Sequence, residues 1–163
     1  MRKGFRSLVS LLCCLLIVFV GAAIGALGSI NAGSFYAELA RPPWAPPGSV
    51  FGPVWTLLYV MMGVALWRAW RRRVGRDTGP ALVLYALQLL ANVLWTWFFF
   101  RWRQGGLAFA EVLLLWALVA ATIFSFWRVQ RLAAVLLLPY FAWVSFAVAL
   151  TYAVWQRNPA LLG

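Results

Sequence analysis

The chain has 163 residues, of which 65% are hydrophobic and only 10% charged, and its mean hydropathy is +0.87. A soluble domain carries about 25% charged residues, so this is an integral membrane protein, and the length suits one domain over residues 1–163. The net charge of +11 comes with no His, and the two Cys are adjacent at Cys13 and Cys14. That excludes a disulfide framework, a zinc, haem-iron or copper site of the usual ligands, and any Ser-His-Asp or Cys-His catalytic arrangement.

Arg2, Lys3 and Arg6 open the chain, and no charge follows until after the run that ends near residue 30. This run exceeds the roughly 7–15 residues of a signal-peptide core, so it reads as a retained first span over 8–30. Gly21, Gly25 and Gly28 lie along it. They form a small-residue face for close approach of another helix, either within the bundle or in a second copy.

A loop over 31–48 follows, with Tyr36, Glu38, Arg41 and Trp44. Four of the eight Pro residues fall in it, at Pro42, Pro43, Pro46 and Pro47. Fixed φ angles and missing N–H donors make this a stiff, non-helical surface segment. The second span covers 49–70. Pro53 is tolerated in its first turn, and Phe51, Trp55 and Tyr59 share one face at four-residue spacing. A stiff lid that leads into an aromatic helix face suggests the mouth of a pocket.

Arg68, Arg71, Arg72, Arg73 and Arg76 stop the second span. The third covers 81–100 and carries Gln88 and Asn92 at membrane depth, with Asn92, Trp95 and Phe99 on one face. An interhelical hydrogen bond accounts for Gln88. For Asn92 that reading stands beside a polar contact to a ligand. Arg101, Arg103, Gly105 and Gly106 read as a tight turn. The fourth span, 107–127, contains Glu111, placed to snorkel near the surface and to complement the helix dipole. The fifth span, 132–155, contains Pro139 and puts Tyr140, Trp143 and Ala147 on one face. All connections but the first are short, which predicts that successive spans pack as antiparallel neighbours.

Ten of the 14 basic residues then lie on the side of the N-terminus, and Arg41, Arg101, Arg103 and Arg157 on the other. The bias puts the N-terminus in the cytoplasm. Basic residues at the ends of apolar runs obey the positive-inside rule, so the high pI implies the lipid bilayer as partner and no nucleic acid. Trp67, Trp70, Trp102, Trp127 and Trp155, beside Arg at span ends, fit an interfacial belt. The lack of a long targeting extension fits a bacterial inner membrane.

Three motifs carry a family resemblance. They are Pro42-x-Trp44-x-Pro46-Pro47 with Val54-Trp55-Thr56-x-Leu58-Tyr59, then Gln88-x-x-x-Asn92-x-x-Trp95-x-x-Phe98-Phe99, then Pro139-Tyr140-x-x-Trp143-x-x-Phe146-Ala147-x-x-Leu150. In this order, on spans two, three and five of five, the chain resembles the TspO/translocator family of tryptophan-rich sensory proteins and peripheral benzodiazepine receptors. The resemblance implies an all-α five-helix membrane bundle, commonly a homodimer, that binds porphyrins, including protoporphyrin and haem, between its helices under the first loop. By resemblance, Trp44, Phe51, Trp55, Tyr59, Asn92, Trp95, Phe99, Trp143, Ala147 and Leu150 fall on or beside that pocket. Thr151 stands where many members have Asn, and Pro43 where some have Trp.

The resulting expectation is a tetrapyrrole-binding sensor, regulator or carrier. It requires no cofactor, takes porphyrin or haem as ligand, and has no catalytic or metal-ligating residues. Light-dependent porphyrin degradation and small-solute transport are the alternatives.

Overall fold

The computed structural model describes residues 2–73 and 77–163, with side chains from Gly4 onward. Arg76, one of the basic residues in the topological count, lies outside the described residues. The elements are α1 (Arg2–Gly28), α2 (Ala32–Glu38), α3 (Phe51–Trp70, entered through a 3₁₀ turn at Gly48–Val50), α4 (Gly79–Thr96), α5 (Gly105–Val129), α6 (Arg131–Arg157) and α7 (Pro159–Leu162). A π-helical turn at Trp97–Arg101 extends α4. Among the described residues five helices are long and apolar enough to span a membrane: Gly4–Gly28, Gly48–Trp70, Gly79–Arg101, Gly105–Val129 and Arg131–Arg157. The all-α five-span class stands, and each span matches its sequence-based range to within a few residues.

Three local differences have local causes. The loop expected over 31–48 contains α2, because Phe35, Tyr36 and Leu39 share one face and bury it. Gly105 and Gly106, expected in a tight turn, form the first turn of α5 instead. Arg103 makes that reversal alone, with φ at 53° in the left-handed region. The third span also widens at its end: Trp102 N–H donates to the Trp97 carbonyl at 2.8 Å. Such π turns cost hydrogen-bond geometry and recur at functional sites.

The spans close a ring in the order α1, α3, α6, α5, α4 and back to α1. This corrects the expectation that all successive spans are neighbours, since α3 and α4 barely touch. The connection over 71–78 is the reason. Eight residues reach roughly 26 Å when extended, enough to pass another helix, whereas Trp102–Gln104 and the single residue Gln130 force α4–α5 and α5–α6 into contact.

The glycine face of α1 is spent inside this ring. A Cβ at Gly21 would meet Leu89 at 3.3 Å, one at Gly25 Thr96 at 3.4 Å, and one at Gly28 Trp97 at 2.9 Å. The close approach lets α4 bond to the α1 backbone. Thr96 Oγ1 donates to the Gly25 carbonyl at 3.1 Å, and Trp97 Nε1 to the Ile24 carbonyl at 3.2 Å. Across the seam with α3, Gly63 admits the backbone of Leu15. In the bundle interior Tyr85 stacks on Phe126, 5.7 Å between centroids, and donates its O–H to the Met62 carbonyl at 2.9 Å.

Candidate functional site

At one end of the bundle, α2 and the proline-rich segment fold down as a lid. Tyr36 donates its O–H to the Pro46 carbonyl at 3.0 Å and sets its ring edge-on to Phe51 at 5.3 Å. Arg41 lies over the Tyr36 ring at 4.9 Å. Burial pushes the Tyr36 phenol above its usual pKa, and the neighbouring Arg41 acts in the opposite sense. The far edge of the lid is tied to the end of α6. Ala40 N–H donates to Asn158 Oδ1 at 2.8 Å, and Asn158 Nδ2 donates to the Ala40 carbonyl at 3.1 Å.

Beneath the lid, α3, α4 and α6 bring seven of the ten sequence-predicted residues to one cavity: Phe51, Trp55, Trp95, Phe99, Trp143, Ala147 and Leu150. The walls touch. Phe51 meets Trp143 edge-on at 5.8 Å, and Trp95 stacks on Phe99 at 5.5 Å with planes 15° apart. The cavity between them is about 30 Å³, room for a water or two. Trp44 is outside it, half exposed, with its ring edge-on to Phe146 at 5.8 Å. Tyr59 and Asn92 lie deeper. Tyr59 stacks on Trp55 and donates to Asn92 Oδ1 at 2.8 Å, and Asn92 Nδ2 donates to Tyr140 Oη at 3.1 Å. Of the two sequence readings for Asn92, the structure shows the interhelical one.

A second chamber of about 350 Å³ adjoins the first and shares Tyr36, Phe51, Trp55, Trp95 and Phe100 with it. Its other wall is made of small residues, chiefly Ala22, Gly25, Ala26, Gly33 and Gly48. Its size falls within the roughly 300–1,000 Å³ of small-molecule pockets. The two spaces are divided by the aromatic faces that the sequence singled out.

Polar groups at depth depart from the sequence reading in two places. Glu111 does not snorkel: it is 9% exposed, on the buried face of α5 with Ala108, Val112 and Leu115. Neither of its carboxyl oxygens has a hydrogen-bond partner among the described residues. Helix phase decides this, because the i, i+3 and i+4 neighbours that point inward carry Glu111 with them. Gln88 is 1% exposed, and its amide likewise has no partner there, so the expected interhelical hydrogen bond is not made. The Trp95 Nε1–H is a third buried polar group without a partner among the described residues, on the wall shared by both spaces.

Sequence reasoning missed the lining residues Tyr36, Phe100 and Val154, and it missed Asn158 as lid anchor. Tyr36 sat in a stretch read as loop, although Phe35, Tyr36 and Leu39 at i, i+1 and i+4 already signalled one helical face. Among the described residues no group of His, Cys, Asp or Glu is placed to hold a metal ion. Trp70, Trp102 and Trp127 are exposed at span ends, as a belt requires. Trp67 is tied down instead, donating to Ser7 and Ser10.

The TspO/MBR family model matches residues 13–156. The Tryptophan-rich protein TspO of Chlorobaculum tepidum is 36% identical over 152 residues, 91% of this chain and 94% of that one. The Translocator protein of Homo sapiens is 42% identical over 127 residues, 76% of this chain and 75% of that one. The Tryptophan-rich sensory protein of Cereibacter sphaeroides is 36% identical over 137 residues, 84% of each.

Proposed function

This chain belongs to the TspO/MBR family, and from that premise we propose that it binds planar tetrapyrroles, protoporphyrin or haem, within the membrane as a sensor, regulator or carrier. One observation carries the reading. Five large aromatic side chains from three helices, Phe51, Trp55, Trp95, Phe99 and Trp143, converge on one space beneath an anchored lid. Flat conjugated rings gain roughly 0.5–1.5 kcal/mol per aromatic pair beyond simple burial. Asn92, held between Tyr59 and Tyr140, fixes the floor.

The closed 30 Å³ space does not admit a macrocycle as it stands. Binding therefore parts Trp55 and Trp95 from the α6 wall and draws on the adjoining 350 Å³ chamber, whose small residues offer little obstruction. The lid supplies the movable side, and binding there must release the Asn158–Ala40 and Tyr36–Pro46 hydrogen bonds together with the packing of Phe35 on Phe99 and of Tyr36 on Phe51.

Titration of the purified protein with protoporphyrin IX, read by quenching of Trp fluorescence, tests the reading. Saturable quenching with one site per chain is expected. Linear, non-saturating quenching would leave the aromatics as packing alone. Product analysis in light and in darkness then separates a binder from a light-dependent degrading activity.

The same reading places the protein in a bacterial inner membrane with its N-terminus cytoplasmic. The ten-to-four bias of basic residues supports this orientation. A reporter fused after Gly163 is expected to read external, and a cytoplasmic signal there would reverse the assignment. A homodimer belongs to this proposal too, on a face other than the glycine stripe that α4 already covers.

A further inference from the structure

A large recess shares no lining residue with the aromatic site. It lies between α1 and α4 on the outside of the bundle, with α3 as its floor, and measures about 910 Å³. The helix packing explains it. At Gly21, Gly25 and Gly28 the two helices nearly touch, and from there toward the N-terminus of α1 they diverge. Leu66 and Trp70 of α3 floor the gap. The recess runs along α1 from Phe5 to Ile24, which at 1.5 Å per residue is roughly 28 Å.

Its chemistry is uneven along its length. The walls are apolar, and their polar atoms are already engaged. Ser10 Oγ donates to the Ser7 carbonyl and accepts from Trp67 Nε1, and Tyr85 O–H is held by Met62. Among the described residues Arg6 is the single charged one in the lining. A second guanidinium, that of Arg73, lies 4.0 Å over the ring of Trp70 at the same end. Asp77, an acidic group at the same end, accepts a hydrogen bond from the Gly79 N–H at 3.1 Å. An apolar wedge that ends in two guanidinium groups matches a molecule with apolar chains and an anionic head.

We propose that the wedge between α1 and α4 is a binding site for an anionic phospholipid, its acyl chains lying against α3 and α4 and its phosphate meeting Arg6 and Arg73. A second copy of this chain fits less well. In a parallel pair it would set one Arg6 end against the other, a like-charge contact in a chain of net charge +11. A neutral lipid fills the walls but gains nothing from the guanidinium groups.

Native mass spectrometry of the full chain in detergent tests the site, with phosphatidylglycerol and phosphatidylcholine of identical acyl chains as probes. Each basic group near a membrane surface favours an anionic lipid by roughly fivefold. The wild type is therefore expected to retain phosphatidylglycerol at least about fivefold better. Arg6→Gln should remove about fivefold of that preference, while Arg131→Gln, outside the wedge, leaves it unchanged. Ala86→Trp, on the exposed side of α4 in the wedge lining, should weaken both lipids alike by filling the space. Cys13, exposed and in the lining, adds a readout on the unmutated chain: phosphatidylglycerol should slow its alkylation more than phosphatidylcholine does. Equal retention of the two lipids, or equal effects of Arg6→Gln and Arg131→Gln, would overturn the proposal. So would a dimer, insensitive to lipid, crosslinked through Cys placed at Ala86 in both copies.

Discussion

Asn158 holds Ala40 by both atoms of its amide, across 118 residues of sequence. Its Nδ2 also donates to the Val154 carbonyl at 2.7 Å, which satisfies a backbone acceptor near the end of α6. The side chain thus joins the lid to the last membrane helix, one turn beyond Val154 of the cavity wall.

Asn158→Ala removes the partners of the part-buried Ala40 N–H and carbonyl. A typical intramolecular hydrogen bond of this kind contributes roughly 0.5–1.5 kcal/mol. The expected result is a lower Tm and faster amide hydrogen exchange over residues 32–47, with exchange in α4 and α5 unchanged. Unaltered exchange in the lid would show that Tyr36 and Pro46 suffice to hold it.

Trp143 links Phe51 to Phe146 at centroid distances of 5.8 and 5.5 Å. Trp143→Ala is expected to weaken protoporphyrin binding by about 1–3 kcal/mol, through lost stacking and apolar burial. Trp70→Ala, at the opposite end of α3 from Phe51 and in the lining of the wedge, should leave affinity within error. Ala147→Phe has only 30 Å³ to enter and should block binding by occupying space. Equal losses at Trp70 and Trp143 would assign both rings to general packing.

The Trp95 indole N–H is buried and unpartnered among the described residues, so the ligand-free protein gains nothing from it. Trp95→Phe keeps an aromatic ring against Phe99 and deletes the donor. Thermal stability without ligand is expected to hold within about 0.5 kcal/mol, while affinity for a ligand that offers an acceptor there falls by about 0.5–1.5 kcal/mol. A variant with the wild-type affinity would place the ligand away from this wall.

Two glycines of α3 should respond unequally to the same change. A Cβ at Gly63 would come within 2.6 Å of Leu15 Cδ2 and 3.2 Å of Leu15 Cα, so the backbone itself obstructs it. Gly63→Ala is expected to cost about 1–3 kcal/mol by forcing α1 and α3 apart. At Gly52 a Cβ meets nothing within 4 Å outside its chain neighbours. Its gain in helix propensity is opposed by Pro53, which disfavours helical backbone for a preceding residue with a Cβ, so Gly52→Ala is expected to stay within about 1 kcal/mol of the wild type. Thermal unfolding in one detergent compares them, and a Gly63→Ala protein as stable as Gly52→Ala would refute the packing described for the α1–α3 seam.

The amino-acid sequence by itself determined the five spans. Hydropathy and the Arg residues at run ends are local properties, and twenty apolar residues in a bilayer have no alternative to a helix. It also determined which aromatics share a face, because four-residue spacing places Phe51 above Trp55 and Tyr59 whatever surrounds them. Only the tertiary structure decided which faces meet. The glycine stripe of α1 announces a close approach without naming the partner, and α4 proved to be it. The ring order that separates α3 from α4 depends on every seam at once. Glu111 is buried because the phase of α5 is set by Ala108, Val112 and Leu115 rather than by the carboxylate's own preference for water. The tie from Asn158 to Ala40 joins residues 118 apart, and no local pattern encodes a bond of that reach.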